Sequence, residues 1–153
     1  MLKKAYFVTI ISLPVAVIGV ITLRYQWPIG PIVLALGLIP IIGLLIAKRS
    51  ILSATPDMIF GALDTGLLTI PALWGGIFFG VAGAIAGGII GDALTDAIAG
   101  FFEGSISEWL REKGIEESRE AVTTALGKMA GCLFGSGIIL SVALLIGLKP
   151  NFG

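Results

Sequence analysis

The sequence predicts an all-α integral membrane protein: a single membrane domain, residues 1–153, with five transmembrane helices. Two observations lead to this fold class. Hydrophobic residues make up 56% of the chain, charged residues only 13%, and the mean hydropathy is +1.03; soluble domains carry about 25% charged residues. The apolar residues also fall in runs of about 20, the length that crosses a bilayer as a helix.

The apolar runs are separated by charged residues, prolines or glycines. They predict spans at about 5–23, 29–47, 57–73, 75–102 and 121–148. The shortest connection, residues 71–76, joins the third span to the fourth. Thr55, Pro56 and Asp57 supply a capping hydroxyl, a first-turn proline and a first-turn carboxylate, so the third helix is expected to begin there.

The basic residues predict the orientation of these spans. With the N-terminus inside and the C-terminus outside, the outer segments hold only Arg24 and Lys149. The inner segments then hold the other eight basic residues, as the positive-inside rule requires: Lys3, Lys4, Lys48, Arg49, Arg111, Lys113, Arg119 and Lys128. Tyr25, Trp27 and Trp74 fall at the outer boundaries, where aromatic side chains are enriched.

A polar stretch, about residues 103–120, precedes the last span and carries six glutamates. Its apolar residues Ile106, Trp109 and Leu110 recur near helical spacing. This pattern predicts a short amphipathic helix on the cytoplasmic side, lying at the membrane surface or against the bundle. Gly114 is expected to end it.

Composition excludes several classes of function. There is no histidine, so Ser-His triads and His-ligated zinc sites cannot be built. The net charge is zero, which gives no electrostatic basis for nucleic-acid binding. The single cysteine, Cys132, forms no internal disulfide. The sequence offers no catalytic residue, and an enzymatic role is the less favoured interpretation.

Glycines recur at intervals of three or four residues along the fourth predicted span. They would form a face without side chains, at which another helix can approach closely: Gly76, Gly80, Gly83, Gly87 and Gly91. We interpret this face as a helix-packing surface, and it is the candidate contact of a homo-oligomer.

Carboxylates form a second stripe on the same span. Asp92 and Asp96 lie one turn apart, Glu103 projects on the same side, and Asp64 lies in the third span. An aspartate at the bilayer centre costs about 2.5–3.5 kcal/mol on translocon scales. We therefore predict that these four residues bind a divalent metal ion, because hard cations prefer carboxylate ligands. Neutral acids hydrogen-bonded between helices are the structural alternative.

One short motif resembles part of an enzyme signature. Residues 88–96, Gly88-Ile-Ile-Gly-Asp92-Ala-Leu-Thr-Asp96, are similar to the second half of the CDP-alcohol phosphotransferase signature. The upstream half, with its aspartate pair, is missing from residues 70–79. A metal-dependent lipid phosphotransferase is therefore the least favoured of the functions considered.

A longer segment, about residues 57–148, resembles the vacuolar iron transporter family. The resemblance lies in Gly61-Ala-Leu-Asp64-Thr-Gly-Leu-Leu-Thr69 and Gly80-Val-Ala-Gly-Ala84. Thr65 interrupts the family's Asp-Gly pair, and two spans precede the similar region instead of following it. The resemblance implies divalent-metal transport, with a cytosolic glutamate-rich segment that gathers metal: Glu108, Glu112, Glu116, Glu117 and Glu120.

Transport of divalent metal cations across a cell membrane is thus the expected function. The alternative is a non-catalytic structural subunit that assembles through the glycine face, alone or in a larger membrane complex. The expected partners are the lipid bilayer and further copies of the chain, without nucleic acid.

Overall fold

The computed structural model describes residues 1–114 and 120–148, without the side chains of residues 99–107. The described part of the chain is helical and contains no strand. The helices are α1 (Leu2–Arg24), α2 (Ile29–Leu36), α3 (Leu38–Ile46), α4 (Ile51–Glu112) and α5 (Ala121–Leu145).

Four stretches are long and apolar enough to cross a membrane: Leu2–Arg24, Ile29–Ile46, Ile51–Ile98 and Ala121–Leu145. Most large apolar side chains on them are exposed, and the buried core is small, centred on Leu44 and Leu126. An apolar exterior is stable in lipid and unfavourable in water. The prediction of an all-helical protein is confirmed for the described residues, and four of its stretches are long and apolar enough to span a membrane.

Helix α4 reverses direction at Gly80. Gly80 has φ 63° and ψ −148°, a conformation open essentially to glycine alone. Residues on either side of it meet: Gly75 lies against Gly83, and Pro71 lies against Gly87. Helix α4 is therefore a hairpin of two antiparallel arms, arm A (residues 51–79) and arm B (residues 81–112).

The predicted connection at residues 71–76 is therefore wrong. Pro71 and the glycines that follow it stay helical in arm A. In a membrane helix, a proline is tolerated where its neighbours satisfy the freed backbone groups. The start of the third helix was also misplaced, since α4 begins at Ile51 with Ser50 as its N-cap, and Pro56 and Asp57 lie inside it.

Helix α5 is packed against both arm A and α2. Its small residues Gly127, Gly131 and Gly135 lie against successive turns of arm A, at Ala54, Met58 and Ala62, so α5 and arm A run in the same direction.

Along α2 the order is reversed, because Gly30 contacts Ser141 and Leu34 contacts Gly137. Helices α2 and α5 are therefore antiparallel.

The remaining helices complete the bundle. Helix α1 runs parallel to α5, with Lys4 beside Glu120 and Ser12 beside Met129. The predicted span at 29–47 consists of α2 and α3, which meet at Gly37 beside the ring of Phe134.

The acidic stretch does not begin a new helix at residue 103, contrary to prediction. Arm B continues without a break to Glu112, because residues 103–112 keep helical geometry. Gly114, at φ 74°, follows the end of the helix, in line with its expected role. The rest of the predicted interfacial helix, residues 115–119, lies outside the described residues.

Candidate metal centre

The hairpin brings three aspartates together. Asp64 lies on arm A, whereas Asp92 and Asp96 lie one turn apart on arm B. One carboxylate oxygen from each falls within 4.8 Å of the other two. We call this group the aspartate triad. Carboxylates 28 to 32 positions apart in sequence meet here because Gly80 folds arm B back along arm A.

The triad lies near the middle of the bundle. Asp64 is about 20 Å along arm A from Ile51, and Trp74 is about 15 Å further on, at 1.5 Å per residue. Leu73 marks the far end of the bundle, since it lines the same cavity as Trp27 and Leu148. The carboxylates are thus far from both ends of the helices that surround them.

Burial differs among the three carboxylates. The Oδ1 atom of Asp64 is buried and has no hydrogen-bond partner among the described residues. Asp92 and Asp96 are exposed, although their carboxylates lie beside that of Asp64. None of the three forms an ion pair with a described basic residue; the ion pairs found lie at the end of the bundle near Glu120. No described cation offsets their mutual repulsion.

Threonines beside the triad support the helix backbone. Thr95 is buried, and its hydroxyl donates to the backbone carbonyl of Asp92 at 3.1 Å. The Thr69 hydroxyl donates to the carbonyl of Thr65 at 2.6 Å. These bonds use the hydroxyl protons and leave the oxygen lone pairs available, so Thr69 and Thr95 can still accept hydrogen bonds near the triad.

Glycines allow the two arms to approach each other. Gly83 and Gly87 lie so close to the arm A backbone that a Cβ atom at either position would overlap a carbonyl oxygen. Gly91 packs against the ring of Pro71, Gly76 faces Ala84, and Gly80 makes the turn.

The predicted glycine face therefore packs inside the hairpin, and this chain's own arm A occupies it. A homo-oligomer would have to use another face, and oligomerisation itself stays a prediction.

Glu103, the fourth predicted ligand, lies in the helical part of arm B. Its side chain is outside the description, so the structure does not place it relative to the triad. Of the glutamates that the family resemblance implicates, Glu108 and Glu112 are exposed near the end of arm B, and Glu116 and Glu117 lie outside the described residues.

Glu120 has a structural position that sequence reasoning missed. Its carboxylate caps α5 by accepting from the backbone N–H groups of Val122 and Thr123, both at 3.0 Å. It also pairs with Lys4 at 2.8 Å and with Arg49 at 3.5 Å. The contact with Lys4, followed by the hydrogen bonds from Thr123 and the charge of Arg49, lowers the pKa of Glu120 to about 2. The signal available in the sequence was an acid directly before a helix.

Comparison of the chain with family models, with curated proteins and with solved structures finds no match. The similarity to the vacuolar iron transporter family therefore stays a prediction from the residues quoted above.

Proposed function

We propose that this protein transports divalent metal cations across a membrane, and that the aspartate triad is the ion-binding site. The single observation that carries the proposal is the convergence of Asp64, Asp92 and Asp96, from two arms of one hairpin, at mid-bundle depth. Intramembrane ionisable residues are rare because they are costly, and they commonly mark ion pathways.

The chemistry of the donors favours a hard divalent ion. Three carboxylates offer only oxygen ligands, which suit Mg²⁺, Ca²⁺ and Mn²⁺. The buried, unpartnered Oδ1 of Asp64 offers a ligand atom that no described protein group uses. A bound cation would also offset the repulsion among the three negative charges. Glu103 follows Asp96 by two helical turns along arm B, and we assign it to the entrance of the site.

The proposal includes a topology. Arm A and arm B count as separate crossings, which gives five spans with the N-terminus inside and the C-terminus outside. Support comes from the end of the bundle where α1 begins, since Lys3, Lys4, Lys48 and Arg49 all lie there and make it basic. By the positive-inside rule, this end faces the cytoplasm. We assign the protein to a cell membrane.

Flux into proteoliposomes tests the function. Mn²⁺, Fe²⁺, Co²⁺, Mg²⁺ and Ca²⁺ are offered in turn to the wild type and to the Asp92→Asn/Asp96→Asn variant. Asp57→Asn is the matched control, because it makes the same acid-to-amide change in arm A away from the triad. We expect flux of at least one ion in the wild type and the control, and none in the double variant. Equal flux in all three proteins would rule out the triad as the transport site.

A second candidate is a structural subunit of a larger membrane complex. The observation that favours it is the exposure of Asp92 and Asp96. At mid-membrane depth, a partner helix with polar side chains would shield these carboxylates from lipid. This candidate predicts neither ion binding nor flux from the purified protein. It also predicts that a partner co-purifies with the wild type and is lost from Asp92→Leu.

A further inference from the structure

An open groove separates α1 from α5 at the end of the bundle where α1 begins, and its volume is about 530 Å³. Three alanines line it, Ala5 on α1 and Ala121 and Ala125 one turn apart on α5. Their short side chains leave the space between the two helices unfilled. Along α1 the groove extends from Leu2 to Thr9, about 10 Å at 1.5 Å per residue. We call it the α1–α5 groove.

Lys4 is the charged residue in the wall of the α1–α5 groove. Its side chain is 54% exposed, and its ammonium group lies 2.8 Å from Oε1 of Glu120. The guanidinium group of Arg49 contacts the same oxygen at 3.5 Å. One carboxylate therefore faces two cations, which leaves one positive charge in excess within this cluster. Because an ammonium group has three N–H donors, Lys4 can also bind a second anion.

The rest of the wall is apolar apart from Thr9, whose hydroxyl donates to the carbonyl of Ala5 at 3.0 Å. The groove thus has a cation near the end of the helices and an apolar surface further in. In a membrane, this order matches the phosphate and the acyl chain of a phospholipid. Basic pockets between membrane helices on the cytoplasmic side are known to bind anionic head groups.

The charge of this end of the bundle also favours a lipid over a second copy of the chain. A second copy in the same membrane orientation would place its own Lys4 and Arg49 at the same level. Like charges at that level would repel each other. An anionic lipid would instead offset the excess positive charge beside the groove.

We propose that the α1–α5 groove binds one anionic phospholipid, with its phosphate at Lys4 and an acyl chain along Ala5, Ala121 and Ala125. The proposal rests on the membrane location of the protein and is independent of ion transport. The bound lipid contacts both α1 and α5, and so joins the two helices beside the ion pairs of Glu120.

Lipid binding to the purified protein tests the proposal. Delipidated protein in detergent micelles is titrated with dioleoyl phosphatidylglycerol or dioleoyl phosphatidylcholine, and native mass spectrometry counts the bound lipids. We expect one phosphatidylglycerol to bind several-fold more tightly than phosphatidylcholine. Lys4→Gln should weaken phosphatidylglycerol binding about fivefold, the usual effect of one lysine at an anionic surface. Lys3→Gln is the matched control, because Lys3 is next in sequence but does not line the groove.

A second variant fills the groove and leaves its charges in place. Ala125→Leu should weaken phosphatidylglycerol binding several-fold, even if Lys4→Gln does not fold without its bridge to Glu120. Ala16→Leu is the control, since Ala16 is exposed on α1 and does not line the groove. An excess of inorganic phosphate should not displace the lipid, because the acyl chain contributes to its binding.

Four results would overturn the proposal. They are equal binding of the two lipids, equal weakening by Lys3→Gln and Lys4→Gln, unchanged binding by Ala125→Leu, and displacement of the lipid by inorganic phosphate. A lipid-free dimer that Ala125→Leu abolishes would also overturn it, because a second copy would then occupy the groove. No metal ion is present in these measurements, so the outcome for the lipid site is separate from that of the flux experiment.

Discussion

Gly80 is the residue on which the architecture of the site depends. Its φ of 63° with ψ −148° is strongly unfavourable for a residue with a Cβ, although a Cβ there would meet nothing within 4 Å. Its role is therefore conformational and does not involve packing. The turn sets which residues of arm B face arm A, and so determines that Asp92 and Asp96 reach Asp64.

Replacing Gly80 with alanine should destabilise the protein by about 1–3 kcal/mol, the usual cost of forcing a residue into a sparsely populated backbone conformation. Gly88→Ala is the control, since Gly88 has helical geometry and open space around it. Unfolding in mixed micelles with increasing denaturing detergent measures the difference. Equal stability of the two variants would contradict the assigned role.

Glu120 is a second single residue that joins three parts of the chain. It caps α5, pairs with Lys4 of α1 and pairs with Arg49 before α4. Its pKa is lowered from 4.5 to about 2, so the folded state prefers the ionised form more strongly than the unfolded state does. The stability this provides is fully present above pH 4.5 and is lost as the pH falls towards 2.

A pH series therefore distinguishes Glu120 from an ordinary surface acid. Glu120→Gln should lower the unfolding midpoint at neutral pH and reduce the part of the pH dependence that lies below pH 4.5. Glu108→Gln, at an exposed site, is the control and should leave the profile near that of the wild type. Identical acid profiles for wild type and Glu120→Gln would show that the bridges to Lys4 and Arg49 contribute nothing.

At the scale of elements, the hairpin is held by backbone-to-backbone contact. Pro71 meets Gly87 and Gly75 meets Gly83 without intervening side chains, the mode of packing that small residues permit in membranes. Separation of the arms would therefore separate Asp64 from its partners. The triad and the glycine contacts belong to one structural unit.

Gly87→Leu should force the arms apart, because a side chain there overlaps the carbonyl of Pro71. We expect a loss of stability of about 1–3 kcal/mol, typical of overpacking, together with loss of ion binding. Gly19→Leu in α1 is the control, since a Cβ at Gly19 would meet nothing within 4 Å. Thermal unfolding and metal titration are the measurements. An unaltered metal affinity in Gly87→Leu would show that the triad does not need the close contact.

Several elements follow from the sequence by length and hydropathy, and α1 and α5 match their predicted runs closely. The stripe of Asp92 and Asp96 follows from helical spacing. The turn at Gly80 does not, because the chain has 22 glycines and only backbone geometry distinguishes the one that reverses it. In the sequence, Pro71 and Gly76 are the stronger helix-breaking signals, yet packing between the two arms keeps both residues helical.

For the whole molecule, the proposed five-span topology requires Gln26 and Gly114 to lie on opposite sides of the membrane. Single cysteines at these positions, in the Cys132→Ser background, are labelled with an impermeant reagent in sealed vesicles of known orientation. The cysteine at 26 should react from outside and that at 114 only from the cytoplasmic side. Labelling of both from one side would contradict the five-span topology, because arms A and B would then not be two separate crossings.

If Asp64, Asp92 and Asp96 form one ion site, the purified protein binds Mn²⁺ at equilibrium, and this binding can be measured without any transport step. We expect saturable binding by the wild type, with an affinity at least about tenfold weaker in each single Asp→Asn variant of the triad, which corresponds to a loss of about 1.4 kcal/mol of binding free energy. Asp57→Asn should bind as the wild type does. Absence of Mn²⁺ binding by folded wild-type protein, or equal affinity in all the variants, would show that the three aspartates do not form an ion site.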